Sequence, residues 1–158
     1  MKLTAKARYA VTAMADLAAV SAQEPVALSE ISVRQNISIA FLEQLFRKLK
    51  ANNLVNSQRG AGGGYTLSLS PDQIRISDIV RAVDEPIRTT ACHPGETIGC
   101  HGTSVRCLTH DLWDELGRHI DVFLGTITLE DVISKRVLGR AMISHPEQEQ
   151  KRDGELVS

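Results

Sequence analysis

Aromatic side chains are scarce in this chain of 158 residues, which has one tryptophan, two tyrosines and three phenylalanines, 4% of the total. Readers of single-stranded RNA stack bases on aromatic platforms, and none of the three phenylalanines is arranged as one, which argues against RNA as the target. Long apolar runs are also missing. No stretch approaches the ~18 residues needed to cross a bilayer. The start, Met1-Lys2 followed by Ala10 to Ala15, faintly imitates a secretory signal, but Arg8 and Asp16 interrupt its apolar part. A cytoplasmic protein with no membrane role is expected. Cysteine is confined to Cys92, Cys100 and Cys107, an odd count that fits a reducing compartment better than a disulfide framework. No Cys-x-x-Cys pair occurs. The glycine-rich stretch from Gly60 to Gly64 meets Tyr65 where a dinucleotide fingerprint needs glycine, and no Lys-Ser or Lys-Thr follows for a phosphate loop. With no visible route for electrons or substrate, an enzyme is not expected.

What remains is an ordinary globular composition, 42% hydrophobic and 23% charged, with an uneven charge. The formal net charge is -1, yet residues 1–70 carry a balance of +4 and the remainder -5. A basic half joined to an acidic half suggests that the first half meets a polyanion.

The order of elements sharpens that suggestion. Thr4 is a candidate cap for a helix with Ala10, Ala13, Met14, Leu17 and Val20 on one face, ended by Pro25. Ser29 is expected to open a short second helix, broken at Gln35-Asn36. Ser38 is expected to cap a third that turns Leu42, Leu45, Phe46 and Leu49 inward. Short helix, tight turn and longer helix form a helix-turn-helix. The outward face of the third helix then shows Glu43, Gln44, Arg47, Lys48 and Lys50, long polar side chains suited to base edges and phosphates. Glu43 is the only acid between Ile31 and Pro71. Two alternating stretches, Leu54 to Gln58 and Tyr65 to Leu69, flank the glycines and predict a hairpin wing with Arg59 at its tip. Ser77 is expected to cap a further helix carrying Ile79, Val80 and Val83, stopped by Pro86.

All three cysteines lie between Cys92 and Cys107, and His110 follows closely. Three thiolates and one imidazole make a complete four-ligand set for zinc or an iron-sulfur cluster. Pro94, Gly95, Gly99 and Gly102 between them are loop formers. Zinc modules usually have tight Cys-x-x-Cys knuckles, whereas six or seven residues separate the cysteines here, and spacing alone leaves zinc and iron-sulfur open. A thiol redox sensor is a further alternative. Beyond the ligands, Leu112, Trp113, Leu116, Ile120, Phe123 and Leu124 form a stripe on a helix from about Asp111 to near Gly125, wider than a lone helix needs. Thr128 with Asp131 starts a last helix through Val132, Ile133 and Val137, and the two helices are expected to lie across a twofold axis.

The reading is thus mostly α with a small β-hairpin, a winged helix-turn-helix domain plus a long dimerisation helix. Residues 1–84 are the DNA-binding domain and 85–110 the ligand loop. Residues 111–140 are the dimerisation helices, and 141–158 a polar tail unable to bury enough surface to order itself. Four stretches, Arg8-Tyr9-Ala10, Phe41 to Leu45, Arg59 to Tyr65 and Cys107-Leu108-Thr109-His110, make the chain from Met1 to about Leu138 closely resemble the IscR family of iron-sulfur cluster regulators. The resemblance implies a homodimeric transcription factor that binds a double-stranded DNA operator. It implies a [2Fe-2S] cluster received from cluster donor proteins and held by Cys92, Cys100, Cys107 and His110, with genes for cluster assembly as targets. Candidate DNA contacts are Ser38, Glu43, Gln44, Arg47, Lys48 and Arg59. Two departures stand out. The gaps between the cysteines are longer than in the family, which makes His93 and His101 rival ligands, and Ala40 stands where a serine is usual.

Overall fold

A computed structural model describes residues 5–20, 24–83 and 108–139. The order is α1 (Ala5–Val20), α2 (Leu28–Gln35), α3 (Ile39–Ala51), β1 (Val55–Gln58), β2 (Gly64–Leu67), α4 (Ile76–Val83), α5 (His110–Thr126) and α6 (Leu129–Ile133). The chain is mostly α with one antiparallel hairpin, in the register Val55 to Leu67 through Gln58 to Gly64. The expected cap Thr4, the stop at Pro86, the three cysteines and the tail lie outside the described residues.

The core forms where the apolar periodicities meet. Ala10, Ala13, Met14 and Leu17 of α1, Ile31 of α2, and Leu42, Leu45, Phe46 and Leu49 of α3 are all buried, joined by Ile79, Val80 and Val83 of α4. Val20, expected on the inner face of α1, is 50% exposed, and Ala7 one turn before Ala10 is buried instead. Turning α2 into α3 requires a left-handed residue, and Asn36 supplies it at φ 53°, a conformation asparagine tolerates. Ser38 then caps α3, its hydroxyl accepting from the Phe41 amide at 3.3 Å.

Two expected caps belong to other residues. Helix α2 begins one residue before Ser29, after Ala27, whose carbonyl accepts from the amides of Glu30 and Ile31. The chain is already fixed there by a bridge of Val26 to Tyr65, which exchanges two backbone hydrogen bonds of 3.0 and 2.9 Å. Ser77 lies inside α4 and is buried. The amide of Ile76 is instead satisfied by the carbonyl of Ile127 at 3.0 Å, beside a bridge of Arg75 to Thr128.

That bridge shows how the chain returns. Ile127 and Leu129, in the stretch assigned from sequence to dimerisation, are buried in the same core as α1 to α4, and α6 lies against α1. Helix α6 ends at Ile133, short of the expected Val137, and carries the complete Thr128–Asp131 capping box. Helix α5 spans His110 to Thr126, close to its expected limits. Phe123 and Leu124 at its end pack on the core, while Leu112, Trp113 and Leu116 near its start are 61%, 42% and 36% exposed.

Candidate nucleic-acid interface

Three fixings hold α3 in place. Its apolar side is sunk in the core. Its first turn is braced by an edge-to-face contact of the Phe41 and Tyr9 rings, with centroids 5.7 Å apart. Its middle is braced by Phe46 against Tyr65 of the wing at 4.8 Å. The face that remains exposes Glu43, Gln44, Arg47, Lys48 and Lys50, as the spacing predicts. Among the described residues neither Glu43 nor Arg47 has an ion-pair partner, so the i,i+4 salt bridge their spacing permits is not made.

The remaining two cations of this face are held by the protein itself. Lys50 donates to the Ser57 hydroxyl on β1, tying the end of α3 to the wing. The Lys48 ammonium donates to the carbonyl of Val83, the last residue of α4, at 3.0 Å. Ser38 stands exposed at the N-terminus of α3, with its hydroxyl engaged as a cap.

The wing is positioned by a close backbone approach. A Cβ on Gly64 would fall 2.3 Å from the Val26 carbonyl oxygen, so only glycine permits the bridge that seats β2 on the entrance to α2. At the tip Gly60 and Gly62 adopt φ of 102° and 75°. Arg59 precedes them, exposed and without an ion-pair partner among the described residues.

A polar cluster that periodicity did not reveal locks the helix-turn-helix to α1. Asp16, with only 5% of its side chain exposed, accepts from Arg34 Nε at 3.1 Å and Nη2 at 2.8 Å, and from Gln35 Nε2 at 2.7 Å. The hydrogen bonds that Arg34 donates to Asp16 raise its pKa above the ordinary arginine value, with further support from the charges of Asp16 and Glu30. The available signal was a lone acid in the middle of an apolar helix, but its partners lie 18 and 19 residues away.

Of the four expected ligands, His110 is described. It opens α5 and is buried at 8% exposure, where the chain re-enters the described fold. Cys92, Cys100 and Cys107 fall outside the described residues, as do His93 and His101. Among the described residues no group of three or more His, Cys, Asp or Glu side chains gathers as a metal site. Helices α4 and α5, which flank the cysteine segment in sequence, pack together with an Arg81–Asp121 ion pair of 2.6 Å.

Residues 3–135 match the model of the Rrf2 family, described as iron-dependent transcriptional regulators. The chain belongs to the Rrf2 family. Rrf2 relatives include the HTH-type transcriptional regulator IscR of Aliivibrio salmonicida, 51% identical over 133 residues, covering 84% of this chain and 77% of the relative. IscR of Xenorhabdus nematophila is 48% identical over 136 residues, with coverages of 86% and 81%. Among solved structures, T. potens IscR aligns with a TM-score of 0.69 at 32% identity, over 86% of this chain and 88% of that one. CymR, the global cysteine regulator of B. subtilis, aligns at 0.70 with 33% identity, over 85% and 98%. The winged-helix architecture expected from sequence is therefore that of the Rrf2 regulators, and the chain is a DNA-binding transcriptional regulator rather than an enzyme. Among the described residues no helix is long and apolar enough to cross a membrane.

Proposed function

We propose that this Rrf2 protein senses iron-sulfur supply in the cytoplasm and sets transcription of cluster assembly genes accordingly. The observation that carries the reading is the pairing of an exposed polar face on α3 with a complete soft-ligand set in the sequence, Cys92, Cys100, Cys107 and His110, the last of which opens α5. Three thiolates and a neutral imidazole suit a [2Fe-2S] cluster, which would arrive from donor proteins and supply a redox- and iron-sensitive ligand. Burial of His110 at the head of a helix fits a ligand whose orientation the fold fixes.

The chain's own residues then do the reading. Gln44 and Arg47 reach base edges in the major groove, Ser38 lies toward the phosphates, and Arg59 enters the minor groove or meets a phosphate from the wing. Glu43, without an ion-pair partner among the described residues, accepts from a cytosine amine where one is present and rejects operators where none is. Leu112, Trp113 and Leu116 on α5 face a second copy, giving a homodimer that spans two half-sites. Footprinting by anaerobically purified protein, with and without prior removal of its metal, tests the coupling. The two forms should protect different sets of operators, and identical protection would contradict it.

A further inference from the structure

We propose that Lys48 is a positioning residue for DNA reading: its ammonium clamps α4 to the recognition helix and so fixes the angle at which Gln44 and Arg47 meet the bases. The proposal deepens the DNA-reading function and rests on it.

Two carbonyls of α4 receive donors from α3 and the residue after it. Lys48 Nζ donates to Val83 O at 3.0 Å, and Asn52 Nδ2 reaches Ala82 O at 3.5 Å. Asn52 in turn holds the carbonyl of Lys48 through its amide at 3.1 Å and its side chain at 2.9 Å. The last turns of the two helices are thereby laced together, with Lys48 in both strands of the lacing.

On α3, Lys48 adjoins Arg47 and lies one turn beyond Gln44, so a displacement of the clamp rotates the reading residues directly. On its other side α4 is held to α5 by Arg81 and Asp121. Helix α4 therefore stands between the reading helix and α5, and its last described residue, Val83, precedes the segment that carries the cysteines. A lysine that only met phosphate would be one more counterion-releasing contact. Engaged with Val83, it instead transmits the placement of α4 to the bases.

The test uses the full chain and two duplexes, one selected from a random pool by the wild-type protein and one with that sequence scrambled, each titrated across a salt series. Lys48→Met keeps the aliphatic stem and removes the charged donor. Affinity for the selected duplex should fall by up to about tenfold, the factor one hydrogen bond to a charged group carries, with a smaller loss on the scrambled duplex. The dependence of log K on log salt should keep its slope on both, and Lys48→Arg should restore the preference. A slope reduced by about one on both duplexes would assign Lys48 to a phosphate and overturn the proposal. Equal losses on both duplexes with a lowered melting temperature would leave Lys48 a fold-supporting residue and also overturn it. Should Lys48→Met fail to fold, Asn52→Ala removes the second tie, and it must lower selectivity in the same sense or the clamp is refuted. A wild-type chain with no preference between the duplexes would instead sink the DNA-reading role, and the proposal with it.

Discussion

Helices α3 and α5 carry apolar stripes of similar width and meet different fates. Leu42, Leu45, Phe46 and Leu49 of α3 are buried within the chain, whereas Leu112, Trp113 and Leu116 of α5 stay in contact with solvent and only Phe123 and Leu124 reach the core. Periodicity announces that a face will be covered but does not say by which molecule. For α3 the cover comes from α1, α2 and α4 of its own chain, and the polar face stays exposed. For α5 the side chains of Leu112, Trp113 and Leu116 are left exposed, which is the physical basis for the proposal that a second copy covers them.

The sharpest way to separate the two helices is to cut into each stripe. Phe46→Ala should remove a wholly buried ring that also braces Tyr65, at a cost of about 3–5 kcal/mol, and unfolding followed by circular dichroism should show it. Trp113→Ala should cost the fold far less yet weaken self-association by roughly thirtyfold or more, as truncation of a central aromatic anchor commonly does, read by sedimentation equilibrium. Should Trp113→Ala melt like Phe46→Ala with no change in association, the two stripes would be equivalent and the dimer face would be elsewhere.

Smaller effects sharpen the polar side of the comparison. Asp16→Ala should lower the melting temperature by several degrees, because α1 and α2 lose the hydrogen bonds of Arg34 and Gln35, and should leave the association of α5 untouched. Arg59→Ala should weaken binding to all duplexes and reduce the salt slope by about one if the side chain meets a phosphate, or lose A-T-rich sites preferentially if it enters a minor groove. Unchanged affinity across the series would remove the wing tip from the interface. Glu43→Ala should change stability by no more than a few tenths of a kcal/mol, since no Arg47 ion pair is present to lose. It should raise affinity for disfavoured operators specifically, and equal changes at every operator in gel-shift titrations would deny it a discriminating role.

What was legible in the sequence follows from range. The faces of α1 and α3, the turn at Asn36 and the hairpin around its glycines are written in residues three, four or two apart, and the structure has them with Val20 as the exception. Caps were less legible. Serine at 29 and 77 suggested helix starts, but the Val26–Tyr65 and Arg75–Thr128 bridges set those starts earlier. Contacts joining distant stretches left no local pattern. Asp16 meets Arg34 across 18 residues and Lys48 meets Val83 across 35. Neither Ile127 nor Leu129 advertised that the chain would return to the first core. On the reading face, residue types and spacing identified the exposed set, while which of its cations were engaged by the protein was invisible until Val83 and Ser57 had been placed beside them.

The account stands or falls on the ligand set at Cys92, Cys100, Cys107 and His110. Metal and acid-labile sulfide analysis of the protein purified without oxygen, on the same sample as its visible absorbance, tests it most directly. The account predicts a coloured protein with iron and sulfide in equal amounts, and loss of both in Cys107→Ala with the helical content intact. A colourless protein with stoichiometric zinc, or full cluster absorbance in that variant, would contradict it.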